Sequence, residues 1–244
     1  MRVIINADDF GLNSTVNFRT NELIKQGKIT SATILANAPC ADEAIEIALN
    51  SSLASFGVHL NCTEGVPLCR EAVPEHMLDD SGIFRLEKLE SSNDIANSAR
   101  FIYREWALQL ERVISSGVNV SHIDSHHHMH TRPWLLPILM RLQKEFGICR
   151  VRNTMNIYPV DLEIRNLLRL KKKIWSSVLR MSGARMTSFF TSFAYYESVS
   201  WDRGLDTVEL MVHPGHPKFD QETTMLENTD LQSHGVELIT YHDL

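Results

Sequence analysis

Short apolar runs alternate with longer amphipathic stretches along the whole chain. Residues 2–7 form an apolar run that reads as a strand and stops at Asp8-Asp9-Phe10-Gly11. Asn13 or Ser14 then offers a helix cap, and Gly27 a stop. Residues 30–37 (TSATILAN) predict a second strand, 41–50 a helix, and 55–60 (SFGVHL) a third strand. Residues 63–93 are polar and contain Gly65, Pro67, Pro74 and Gly82, so a loop is expected there. Ile95, Ala99, Ile102, Trp106, Leu110 and Val113 recur at three- and four-residue steps, which predicts a long helix ended by Gly117. Residues 118–125 read as a strand, 134–146 as a helix, 149–152 as a short strand and 158–181 as helical. Residues 208–212 (VELMV) and 236–240 (VELIT) read as further strands, with a partly helical 221–233 between them.

Strand and helix thus alternate to the end, which argues for a parallel sheet covered by helices. This many units in one chain favour an α/β fold of the (β/α)-barrel kind over an open doubly wound sheet. The barrel is expected to be complete, incomplete or distorted, with parallel strands inside and helices outside. The sequence has no repeat, no low-complexity segment and no linker, so residues 1–244 are expected to form one domain.

Composition changes this picture little. The chain is 43% hydrophobic and 22% charged, an ordinary globular balance. A net charge of −6 gives the chain as a whole no electrostatic pull toward nucleic acid. No run approaches the length of about 18 apolar residues that a membrane span needs, and the start reads as no signal peptide. Cys40, Cys62, Cys69 and Cys149 form no paired motif, so reduced thiols and a cytoplasmic protein are expected. A homodimer is the default expectation for a soluble enzyme. Arg169, Lys171, Lys172, Lys173 and Arg180 concentrate positive charge in one segment. A solvated basic face is the simplest reading of it, and contact with an anionic substrate group the alternative.

The chemistry-bearing residues fall at one kind of place. Asp8 and Asp9 follow the first strand, His59 ends the third, His126 ends 118–125, Arg152 ends 149–152 and His213 ends 208–212. In parallel α/β proteins the C-terminal strand ends build the active site. Two carboxylates as close as Asp8 and Asp9 repel unless a cation or a shared proton relieves them. Both can face one site only if the strand has ended there, with Gly11 permitting the turn. Segment 122–130 (HIDSHHHMH) holds His122, His126, His127, His128 and His130. Strand alternation puts His122, Asp124 and His126 on one face, which makes Asp124 a natural carboxylate partner behind a metal-ligating His126. Asn61 shares a face with His59 and is expected to reach a ligand, and His128 to line the substrate cleft. His216 is a rival to His213.

At this point the residues resemble a known family. INADDFGLN at 5–13, ITSATILAN at 29–37, GVHLNCTEGVPL at 57–68, SHIDSHHHMH at 121–130, VRNT at 151–154 and ELMVHPGH at 209–216 are similar to the YdjC-like carbohydrate deacetylases, which include chitooligosaccharide deacetylases. The resemblance implies a barrel-like β/α fold and one divalent metal ion on Asp9, His59 and His126. It also implies Asp8 as the catalytic base and His213 as the acid that protonates the leaving amine. Arg152, read from its position alone, is expected to orient Asp8 or bind substrate, with packing at the site rim as the alternative. The implied reaction removes an N-acetyl group from a small carbohydrate and releases acetate. The ligand types suit Zn²⁺, Co²⁺ or Mn²⁺, whereas the family is described with Mg²⁺.

Three rivals remain. A metal-dependent phosphoesterase on a similar barrel would use the basic 169–180 stretch for phosphate. Two histidines and a carboxylate can also hold iron in an oxygenase, although those enzymes favour antiparallel barrels. A sugar-binding protein would keep cleft aromatics without needing an acid and a base beside a metal.

Overall fold

The computed structural model describes all residues except 72, 88–93, 160–165, 200, 202–204 and 232–234. Strands β1 (Arg2–Phe10), β2 (Ser31–Ile34), β3 (Ser55–Leu60), β4 (Val120–Ser125), β5 (Phe189–Ser192) and β6 (Thr207–Val212) make one parallel sheet in the order β4-β3-β2-β1-β6-β5. A two-residue β7 (Glu237–Leu238) pairs with Arg2 and Val3, just before β2 joins β1 at Asn6. The helices are α1 (Ser14–Lys25), α2 (Ala41–Asn50), α3 (Ile95–Ser115), α4 (Leu136–Phe146), α5 (Asn166–Met181) and α6 (Asp220–Asn228).

The sheet curls into an incomplete (β/α) barrel. Its open side lies between β4 and β5, and residues 149–157 span it. Val151 bridges to Ile123 of β4, while Asn156 bridges to Phe190 of β5. The strand expected at 149–152 is therefore reduced to isolated bridges. In the other direction, β5 was not expected: FFTS carries no alternation and follows a stretch that reads as helix. Of the helix expected over 158–181, Asn166–Met181 is seen as helix, and residues 160–165 of that reading lie outside the described residues, as do 72 and 88–93 of the expected 63–93 loop.

Alternation along the strands sorts side chains into two populations. Val3, Ile5 and Ala7 of β1, Phe56, Val58 and Leu60 of β3, and Val208, Leu210 and Val212 of β6 belong to one core packed against the helices. The intervening residues turn into the barrel. At its lower end Ile4 packs with Ile239 and Tyr241 as a small apolar plug. Above the plug the interior is polar, with Asn6, Asp8, Thr33, His59, His122, Asp124, Arg152 and Glu209 all nearly inaccessible to solvent. Such groups persist in a core only when paired.

Gly57 is required by this filling. A Cβ at that position would lie between 2.5 and 2.8 Å from atoms of His122. The missing side chain lets the His122 ring lie flat on Tyr241, with centroids 3.5 Å apart and planes 7° apart.

Candidate active site

The two adjacent aspartates reach one site through a bulge. Ala7 pairs with Ala32 and Phe10 with Ile34, so β1 carries one extra residue between those partners. Asp9 takes up the irregularity with φ = 62°, in the left-handed region. The expectation that the strand stops before the pair is thus corrected: β1 continues to Phe10. Gly11 makes the turn after it, at φ = 103°, where a Cβ would lie 3.2 Å from the Ala41 Cα. Strain at such a backbone position is tolerated where the surrounding structure fixes it, commonly at functional sites.

Asp9, His59 and His126 converge beyond the strand ends, with their donor atoms all within 4.8 Å of one another. His126 Nδ1 lies 2.8 Å and His59 Nε2 3.3 Å from Asp9 Oδ1. Yet that buried oxygen receives no properly directed hydrogen bond. Three donors gathered around one point, rather than aimed at each other, are the arrangement a cation would complete. Two imidazoles and one carboxylate also leave positions open on a four- to six-coordinate ion, as catalysis requires. Glu64, from the loop after β3, approaches the outer side of His126 at 3.4 Å and His127 at 3.6 Å. His127 and His128 both have φ near +50°. This reversal directly after β4 sends His126 toward Asp9 and His128 to the opposite side.

Behind these groups lies an ion cluster. Arg152 is buried and grips Asp8 with two parallel bonds, Nη1 to Oδ2 at 2.7 Å and Nη2 to Oδ1 at 2.6 Å. It also reaches Asp124 at 2.8 Å and Glu209 at 2.7 Å. Asn6 donates to Asp8 Oδ1 at 2.9 Å, and Tyr241 donates to Glu209. Asp124 stands behind His59, not behind His126 as alternation suggested: its Oδ1 is 2.7 Å from His59 Nδ1, and Thr33 donates to its Oδ2. The reason is local. The β3–β4 register slips by one residue between Phe56 and Val58, and His126 already belongs to the turn.

The protonation states follow from this arrangement. Burial pushes the Asp8 carboxyl up, but the Arg152 guanidinium overrides it and holds Asp8 far below the usual carboxylate range. Burial acts the same way on Asp9, and the His126 and His59 rings reverse it. Burial depresses His59, yet Asp124 and Asp8 raise it to about 10; His126 is raised to about 9 by Asp9 and Glu64. Without a metal, protons on two histidines supply the positive charge the carboxylates demand.

The remaining expected residues are placed as follows. His213 follows β6, stacks on Phe219, and holds Glu222 of α6 through Nδ1 at 3.1 Å. Burial lowers its pKa, but Glu222 and then Asp8 raise it above the ordinary value. His216 instead accepts from the Lys218 backbone N–H. Asn61 is not free to meet a ligand. Its amide donates to Asn37 Oδ1 and the Glu64 carbonyl, and accepts from Thr63 and Glu64, so it shapes the loop that aims Glu64. His128 lines a cavity of about 470 Å³ with Arg132, Lys171, Lys172, Trp175 and Phe190. Burial holds it neutral, with a pKa near 3.

Glu209, Glu222, Tyr241 and Glu64 escaped the sequence reading. Glu209 carried a readable signal: it sits inside an apolar parallel strand, where a carboxylate must be paired. Glu222 and Glu64 lie in polar stretches and carried none.

Comparison with known proteins gives a consistent picture. The model of the YdjC-like protein family matches residues 2–242. The chain is 26% identical to carbohydrate deacetylase 1 of Listeria innocua, with 100% of both chains covered. It is 35% identical to a carbohydrate deacetylase of Vibrio campbellii over 62% of this chain and 61% of that one. A crystal structure from Enterococcus faecalis V583, described as a candidate cellobiose-phosphate cleavage protein, superposes with a TM-score of 0.77 at 24% identity, covering 99% of this chain and 98% of that one. That likeness concerns the fold.

Proposed function

The chain belongs to the YdjC-like family, and on that premise we propose that it is a metal-dependent hydrolase that removes N-acetyl groups from an acetylated sugar, a chitooligosaccharide being the reference substrate. The supporting observation is the convergence of Asp9, His59 and His126 on one point beside the Asp8–Arg152 pair. The relatives named carbohydrate deacetylase point the same way.

In this reading Asp9, His59 and His126 hold one divalent ion. When bound, the ion polarises the acetyl carbonyl and acidifies water. Its ligand set favours Zn²⁺, Co²⁺ or Mn²⁺ over Mg²⁺. Asp8 takes the proton of the attacking water. Arg152 and Asn6 fix the direction of its carboxylate, and Arg152 divides its charge among Asp8, Asp124 and Glu209. His213 is kept protonated by Glu222, with Nδ1–H on that carboxylate and Nε2–H available to the departing nitrogen. Water adds to the acetyl carbon, the C–N bond breaks, and acetate and a free amine result. In the same reading the cavity lined by His128 takes the rest of the sugar. These groups sit on or just beyond one parallel sheet, with Glu222 joining from α6, which supports reading residues 1–244 as one catalytic domain.

The test is acetate release from N-acetylglucosamine oligomers, with and without added divalent ion and chelator. Release that chelation abolishes, and that Asp8→Asn lowers by about 10²-fold or more, is expected. No release with any ion, or full activity in Asp8→Asn, would overturn the reading.

A further inference from the structure

Helix α5 has two apolar faces, and the described residues cover one. Trp175, Ser176 and Leu179 are buried against the barrel. On the far side, Leu167, Leu170, Ile174, Val178 and Met181 follow one another at three- and four-residue steps, so they form a single stripe along the helix. Leu167, Leu170, Ile174 and Met181 are 62%, 53%, 55% and 88% exposed. A surface helix with one core to cover needs one apolar stripe. This second stripe is unpartnered among the described residues.

The charge on the helix itself is one-sided. Residues 166–181 contain Arg169, Lys171, Lys172, Lys173 and Arg180 and no acidic residue, in a chain whose net charge is −6. Lys172 turns inward to Asn156 and Tyr158, and Arg180 holds the Thr187 carbonyl at 3.2 Å. Arg169, Lys171 and Lys173 are exposed and make no ion pair among the described residues, and the stripe lies between Lys171 on one flank and Arg169 and Lys173 on the other. At 1.5 Å per residue the helix is about 24 Å long, shorter than a bilayer core. No described helix is long and apolar enough to cross a membrane.

We propose that α5 lies flat on an anionic lipid surface, its stripe of Leu167, Leu170, Ile174 and Met181 in the headgroup boundary and Arg169, Lys171 and Lys173 on lipid phosphates. Charge complementarity selects this occupant. A second copy docked through the same stripe would bring two uncompensated sets of these cations together. The inner edge of the same helix supplies Leu168 and Lys171 to the cavity beside His128, so docking would set that cavity beside the membrane.

The experiment is co-sedimentation of the full chain with sucrose-loaded vesicles of phosphatidylcholine alone or mixed with phosphatidylglycerol. Binding to the anionic vesicles should exceed binding to the neutral ones by about tenfold or more, and salt should weaken it. Leu170→Glu/Ile174→Glu should lose about tenfold or more, and the uncharged Leu170→Gln/Ile174→Gln should lose binding too, because insertion and not charge alone is removed. Both pairs replace exposed side chains outside the catalytic groups, so hydrolysis of a soluble substrate should be unchanged. Equal binding to both vesicle types, no binding by the wild type, or variants that bind like it would overturn the proposal. So would a wild-type dimer that either double variant converts to monomer. The assay reads binding alone, so its outcome is independent of whether the chain deacetylates sugars.

Discussion

Replacing Asp124 by asparagine should weaken metal binding far more than it weakens the fold. Asp124 accepts on both oxygens: Oδ1 faces His59 Nδ1 at 2.7 Å, and Oδ2 faces Arg152 Nη1 at 2.8 Å and the Thr33 hydroxyl at 3.2 Å. Asparagine offers one acceptor and one donor to neighbours that both require acceptors. If its carbonyl stays on His59, the amide N–H₂ confronts the guanidinium. If it flips, the N–H₂ confronts His59 Nδ1 and forces the proton onto Nε2, the nitrogen that faces Asp9. The flipped orientation gives each buried donor an acceptor in the metal-free protein, so a metal must either displace that Nε2 proton or restore the first orientation with its unsatisfied donor, a cost of about 1–3 kcal/mol. Loss of a carboxylate behind a ligating histidine typically costs about 10–100-fold in affinity, or about 1.4–2.7 kcal/mol, which agrees. The fold loses less, because Asp8 and Glu209 still neutralise Arg152. The assay is competition for Zn²⁺ or Co²⁺ against a chromophoric chelator, with thermal melting as the control. A dissociation constant within about threefold of wild type, at equal melting temperature, would refute the role given to Asp124.

Four further outcomes follow from the same geometry. Because His59 and His126 titrate near 10 and 9 in the metal-free protein, metal binding at pH 7–8 should release close to two protons, read by calorimetry in buffers of different ionisation enthalpy. Both folded-state values lie above the ordinary 6.5, so their stabilisation is complete below pH 6.5 and fades as pH rises through 9 and 10; the metal-free melting temperature should fall over that range and the metal-loaded one should not. Glu222→Gln should lower the pKa of His213 and move the alkaline limb of kcat/KM to lower pH, whereas an unmoved limb would remove His213 from the acid role. Gly57→Ala should overpack His122 and cost about 1–3 kcal/mol, visible as a drop of about 2–12 °C in melting temperature, and an unchanged melt would contradict the filled barrel interior.

Much of the site was legible because parallel α/β chains place polar residues at strand ends for few reasons other than function. Asp8, Asp9, His59, His126, Arg152 and His213 all stand out against apolar runs in that way. What the linear pattern hides is where alternation breaks. The extra residue in β1 at Asp8-Asp9 and the one in β4 before Ile123 change which side chains share a face, so the partner of Asp124 came out as His59. The polar interior was hidden for a second reason. In VELMV a lone glutamate among apolar neighbours signals that a partner is needed but not which one, and only the closed barrel turns Glu209 inward to Arg152. Strand β5 was missed because aromatic and hydroxyl residues in FFTS carry neither period. Glu222 reaches His213 from a separate helix, a contact that depends wholly on tertiary structure.

The central claim is that Asp9, His59 and His126 form one divalent-metal centre, and crystallography of the metal-loaded protein at the absorption edge of the ion tests it most directly. An anomalous peak about 2.0–2.2 Å from Asp9 Oδ1, His59 Nε2 and a ring nitrogen of His126 is predicted, with Asp8 still gripped by Arg152. An ion seated instead between Glu64 and His127, or full loading that leaves the Asp9 oxygen unbonded, would contradict it.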